Sequence, residues 1–396
     1  MSGGALRGLK VLDLSRVLAG PLCTQMLADH GAEVVKVEPP AGDETRRWGP
    51  PFVDEEQTTS AYYQGLNRNK ANIVLDLKVE RAREVVLDLI AGADVVVENF
   101  KAGTMDRWGL GYESRLAARF PRLVYCRITG YGVDGPLGGE PGYDAVLQAH
   151  GGLMSVNGEP DGDPLRVGVP IVDITAAHQA FAGVLLALTE RAVSGRGQLV
   201  DITLVDAVVS LMHPHSAAHL ASGAVPVRTG AAHPTVAPYQ VFHTARGGSL
   251  FVAAASDAHF AALTDVLGRP DLAGDARFLR NRDRVGHRAE LLALLEPLFR
   301  ARDAGELAEA LRARGVPASP VNDVAAALAA PQVRHRGMVV SDGDYRGIGV
   351  PIKLGRSASV PPRAPAARGT DTERVLAAHG YRAEDLAALR ECGALG

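Results

Sequence analysis

The stretch KVLDLSRVLAGPLCTQMLADHGAEVVKVEPP, residues 10–40, decides the fold class. Lys10–Leu14 (KVLDL) is short and rich in residues that suit a strand. Pro21 to His30 carries apolar residues at helical spacing, and Gly31 stands where a helix C-terminus calls for a residue of positive φ. Glu33–Val37 (EVVKV) is a second strand, closed by Pro39 and Pro40. The unit recurs downstream as Asn72–Leu77 (NIVLDL), a helical stretch Glu80–Ile90, and Asp94–Val97 (DVVV). Leu123–Thr129 (LVYCRIT) adds one more strand. Strand–helix–strand units of this kind predict an α/β fold: a parallel sheet with helices on its faces.

Beyond this core the chain changes character. Gly130–Asp144 (GYGVDGPLGGEPGYD) is a Gly/Pro-rich loop, long enough to border a site. Asp173 to Glu190 reads as a buried helix, and Leu199–Leu204 as a strand. Tyr239–Thr244 and Ser249–Ala254 read as paired short strands, followed by Arg-rich amphipathic helices such as Asp303–Arg314. A Pro-rich stretch, Val360–Ala366, precedes two helices, Thr372–His379 and Ala383–Cys392. The expected organisation is therefore a large α/β domain over 1–222, a smaller α+β domain over 225–325, and a C-terminal segment 326–396.

Composition narrows the function classes. The 396 residues carry 42 Lys+Arg against 45 Asp+Glu, a net charge of −3, which argues against a dedicated nucleic-acid binder. Three cysteines, Cys23, Cys126 and Cys392, form no CxxC pattern and suggest neither a disulfide scaffold nor a zinc knuckle. Residues 1–15 lack a long apolar run before a small-residue cleavage site, and no uninterrupted apolar stretch of about 18 residues occurs. A soluble, cytoplasmic enzyme without a membrane partner is expected.

Candidate chemistry is weak motif by motif. His213, His215 and His219 lack a nearby Cys or an HExxH pattern, so no metal is expected there. Gly130, Gly132 and Gly135 match a phosphate fingerprint only in spacing and lie far from the first strand. Ser15–Pro21 (SRVLAGP) makes either a tight turn or a helix N-terminus that presents N–H groups to an anion. Asp173, between GVPIV and ITAA, is either a helix N-cap or a carboxylate nucleophile, ionised without a helper base.

Taken together the motifs are more specific. VLDLSRVLAGP (11–21), GAEVVKVEPP (31–40), NRNKANIVLDL (67–77), VVENFKAGTMDRWGLGY (96–112), ITGYGVDGP (128–136), PGYDAVLQAHGG (141–152) and GVPIVDITAA (168–177) resemble the family III CoA-transferases. DETRRWGPPFV (43–53) and AHPTVAPYQVF (232–242) are most similar to the succinate–hydroxymethylglutarate branch. The resemblance implies a Rossmann-like large domain completed by the C-terminal segment, a small domain, and a homodimer of interlocked chains. It places Asp173 on the family's nucleophile and Val17, Leu18, Leu75, Asn99, Phe100 and Arg107 around coenzyme A. No permanent cofactor is implied; the CoA thioester is a substrate, exchanged between an acyl-CoA donor such as succinyl-CoA and a carboxylic acid.

Backbone groups of Gly130, Tyr131 and Gly132, or of Arg228–Ala232, are candidate oxyanion donors. Arg46 or Arg47 is a candidate clamp for a dicarboxylate. Three departures from formyl-CoA transferase, at Leu18 (glutamine there), Pro39 (arginine) and Thr129 (lysine), point away from formyl chemistry and toward larger acids. A 2-methylacyl-CoA racemase on the same fold is the rival reading, although Tyr143 stands where that chemistry wants a histidine base. A non-catalytic CoA-binding protein is the third.

Overall fold

The computed structural model describes residues 3–395. Six parallel strands form its main sheet: β1 (Lys10–Asp13), β2 (Glu33–Glu38), β3 (Lys70–Val74), β4 (Val95–Glu98), β5 (Val124–Thr129) and β6 (Leu199–Thr203). Their order across the sheet is β3-β2-β1-β4-β5-β6. Helix α1 (Ala19–Asp29) joins β1 to β2, and α2 (Glu80–Ala91) joins β3 to β4.

Alternation along each strand sorts the apolar side chains onto two faces. Leu12, Val96 and Tyr125 face a core completed by Val85, Val86 and Leu89 of α2 and by Leu376 and Leu389 near the C-terminus. Val11, Val95, Val97, Val124 and Cys126 face the opposite core, built with α1 and with α4 (Ile171–Ser194), which follows the short α3 (Asp144–His150). By length and composition α4 could cross a bilayer. Here its Ala176, Ala177, Ala180 and Val184 are fully buried in that second core.

Chain contacts divide the molecule into two compact units. The first comprises residues 1–153, 166–217 and 332–396, so the C-terminal segment belongs to the parallel-sheet unit. The second comprises 154–165 and 218–331, so that 154–165 and 218–222, expected in the large domain, and 326–331, expected in the C-terminal segment, fall in it instead. Its sheet is antiparallel: β7 (Tyr239–His243), β8 (Ser249–Ala253) and β9 (Ala318–Pro320). Behind it lies an apolar core in which the Phe242 and Phe299 rings stack at 4.0 Å.

Two local departures have physical causes. The third strand begins at Lys70 rather than Asn72, because Lys70 is buried and ion-paired to Asp13 at 3.0 Å, a polar start that apolar patterning hides. The strand expected to run to Leu204 stops at Thr203, whose side chain accepts the N–H of Asp206 and caps a helix that starts at Leu204.

Candidate functional site

Strand order reverses between β1 and β4, and in such sheets ligands bind outside the carboxyl ends of the strands at that point. A cleft of about 280 Å³ opens there. Arg16, Val17 and Leu18 follow β1, Asn99 and Phe100 follow β4, Gly130 and Gly132 follow β5, and Asp173 comes from α4; all line this one cleft. Residues more than 150 positions apart in the chain thus share one wall.

Asp173 is the third residue of α4, not its N-cap. The capping is done by Asp144 of α3, whose Oδ1 accepts the N–H groups of Val172 at 2.8 Å and Asp173 at 3.3 Å. Gln148 holds Asp144 in place, donating from Nε2 at 2.7 Å, while its Oε1 accepts the N–H of Val167 at 2.8 Å. With the helix end satisfied from outside, the Asp173 carboxyl is left for the cleft. Burial, and then the like charge of Asp144, push it up to about 7. Among the described residues no salt bridge reaches it. A carboxylate in that setting is basic, poorly solvated and therefore nucleophilic.

Tyr62, which the sequence reading passed over, belongs to the same neighbourhood. Burial, and then the charge of Asp173, hold its phenol up at about 12, and Trp48 packs edge-on against its ring at 5.2 Å. Asp144 was likewise missed as a support for Asp173. Its one sequence trace is the i, i+4 spacing to Gln148, which has meaning only once α4 is known to end beside it.

The other expected residues are distributed unevenly. Leu75 lines an adjoining cleft with Pro39, Lys78 and Trp108, which shares Arg16 and Phe100 with the first. Phe100 and Trp108 pack edge-to-face there at 5.1 Å. Asn99 uses both ends of its amide on the backbone of Arg16. Arg107 is exposed, donates to Thr104 Oγ1 at 2.9 Å, and lines neither cleft. Tyr131 lies edge-on to His150 at 5.1 Å rather than in the cleft wall. The amide of Gly132 is engaged by Thr129 Oγ1 at 3.0 Å, which corrects its assignment as an oxyanion donor.

Arg46 is also a correction. Its guanidinium is buried against Glu38, with Nε at 2.7 Å and Nη2 at 2.9 Å, and donates to the Tyr63 hydroxyl at 2.8 Å. Those contacts leave it a structural cation, not a substrate clamp. Arg47 is exposed and donates to the carbonyl of Ala41 at 3.1 Å. Among the described residues no three His, Cys, Asp or Glu side chains converge as metal ligands.

The pattern of CoA-transferase family III matches residues 6–372. A succinate–glutarate CoA-transferase of Agrobacterium fabrum is 42% identical over 85% of this chain and 84% of its own. The succinyl-CoA:glutarate CoA-transferase of Homo sapiens is 39% identical over 85% of this chain and 76% of its own. The crystal structure of a CAIB/BAIF family protein from Brucella suis superposes with a TM-score of 0.88 at 41% identity, covering 95% of this chain and all of that one.

Proposed function

The chain belongs to CoA-transferase family III, and from that premise we propose that it moves CoA from succinyl-CoA or a similar donor to a dicarboxylic acid, with Asp173 as the nucleophile. One observation carries the reading: a carboxylate held near neutral pKa, without an ion-pair partner among the described residues, in the cleft at the sheet's switch point.

The chemistry follows from the carboxylate. Asp173 attacks the donor's thioester carbonyl, the C–S bond breaks, and CoA leaves as thiolate, giving an acyl–aspartyl anhydride. The thiolate then attacks the aspartyl carbonyl, releasing the donor acid and leaving an aspartyl-CoA thioester. An acceptor carboxylate reverses both steps and departs as the new CoA ester. Acyl activation is conserved throughout, so no nucleotide hydrolysis is needed. In this reading CoA runs along the two adjoining clefts, its thiol end beside Val17 and Leu18 and its nucleotide toward Leu75, Phe100 and Trp108, a course supported by the residues the clefts share. The dicarboxylate assignment is supported by the activities named for the Agrobacterium and human relatives. We read the working form as a cytoplasmic homodimer of interlocked chains; light scattering that returns the mass of one chain would overturn the dimer.

The test is incubation of the purified protein with succinyl-CoA and a panel of carboxylic acids, followed by mass spectrometry. New CoA esters that disappear in Asp173→Ala support the reading. Exchange that survives in Asp173→Ala, or no exchange with any acid, defeats it.

A further inference from the structure

The loop leaving β1 is held by side chains from other elements at successive backbone groups. The N–H of Ser15 donates to Asp13 Oδ1 at 2.9 Å, and its carbonyl accepts from Lys36 Nζ at 2.8 Å. The N–H of Arg16 donates to Asn99 Oδ1 at 2.8 Å, and its carbonyl accepts from Asn99 Nδ2 at 2.7 Å. The N–H of Val17 reaches Asp43 Oδ1 at 3.5 Å, and Asp43 is ion-paired to Lys36 at 3.1 Å with both side chains buried. The Arg16 guanidinium also lies 4.6 Å from the centre of the Phe100 ring.

This bracing has an object. Val17 sits at φ +67, in the left-handed region that a β-branched residue avoids. Such a conformation persists only where its surroundings over-determine it, and that happens chiefly at functional sites. Arg16, Val17 and Leu18 line the same cleft as Asp173. Both covalent intermediates of the proposed reaction are open to water, which can add its oxygen to the activated carbonyl, lose a proton to solvent, and expel Asp173 or CoA.

We propose that Asn99, together with the buried Lys36–Asp43 pair, is a positioning device that keeps the Arg16–Leu18 wall closed to water, so that the activated acyl group passes to an acid. This rests on the CoA-transferase reading above. Asn99 therefore acts through the loop backbone, and its amide is already engaged there before any ligand arrives.

The experiment measures partition. Full-length wild type, Asn99→Ala and Asn99→Asp are given succinyl-CoA and the acceptor acid found above; free thiol reports hydrolysis and mass spectrometry reports the new CoA ester. Asn99→Ala removes both bonds to Arg16 and is expected to raise the hydrolysis-to-transfer ratio about tenfold or more. Asn99→Asp keeps the acceptor for the Arg16 N–H, loses the donor to its carbonyl, and falls between. Equal loss of both reactions, with the ratio unchanged in folded protein, marks a merely structural role and overturns the proposal. Should Asn99→Ala fail to fold, the ratio in Asn99→Asp decides. Wild type that makes no new CoA ester at all defeats the CoA-transferase reading, and this proposal falls with it.

Discussion

Asp13, at the C-terminal end of β1, and Asp173, half-buried in the cleft beyond the strand ends, are two carboxyls drawn out of water, and the fold drives them in opposite directions. Burial works against the charge of both. Around Asp13, Lys70 and Lys36, with the hydroxyls of Ser15 and Thr24, overcome that penalty and leave it at about 2. Around Asp173 the charge that acts on it is another carboxylate, Asp144, and the group rises to about 7. Desolvation is common to the two sites; the sign of the neighbours separates a structural ion from a reactive one.

The difference can be broken at either end. The largest effect is expected at Asp173, where Asp173→Ala should cut CoA-ester exchange by about 10³-fold or more, since it removes the carboxylate that carries the acyl link in the proposed reaction; the exchange assay reads it directly. Next, Lys70→Met leaves Asp13 buried without its partner and should cost about 3–5 kcal/mol of unfolding free energy, measured by denaturant titration. Lys70 itself is lowered to about 8, burial outweighing the attraction of Asp13.

The two carboxyls also set opposite pH dependences. A folded pKa below the unfolded one stabilises at neutral pH and is lost as pH falls, so Asp13 weakens the protein in acid, between about 4 and 2. A folded pKa above the unfolded one does the reverse, so the contribution of Asp173 is lost as pH rises through about 7. Asp173→Asn should therefore stabilise the fold by roughly 1–3 kcal/mol at pH 8.5 and by nothing below pH 3. Thermal melts at the two pH values check the sign. The smallest effect is expected at Asp144→Asn, which keeps an acceptor for the α4 amides and removes the like charge. The wild-type rate should rise with pH through about 7 as Asp173 ionises. In Asp144→Asn that rise should move to lower pH, with a rate change of less than about tenfold.

How far the site could be read in advance depended on how each residue acts. Asp173 was legible because it lies in a motif, GVPIVDITAA, but its local reading as an N-cap was wrong: the cap is Asp144, 29 positions earlier. Arg46 read as a free cation because sequence shows an arginine and not its partner; Glu38 and Tyr63 take it up only once β2 and the following loop are folded. Asn99, expected around coenzyme A, lines the cleft, and its amide serves the Arg16 backbone there. In the second unit the paired strands Tyr239–His243 and Ser249–Ala253 were visible as neighbours in sequence. Their third partner, Ala318–Pro320, is three residues long and arrives after five helices, too little signal for any periodicity to reveal.

The amino-acid sequence by itself determined the parallel α/β core, because strand and helix periods and their turns are written in short windows, and it marked Asp173 through motifs kept in order. Tertiary structure alone decided which buried charges are paired, which residues line the cleft, and that Val17 is held in a strained conformation in the cleft that Asp173 also lines. Those outcomes depend on distances between residues far apart in the chain. A carboxylate's pKa and a side chain's free donors are properties of its neighbours, which exist only after the strands have been brought side by side.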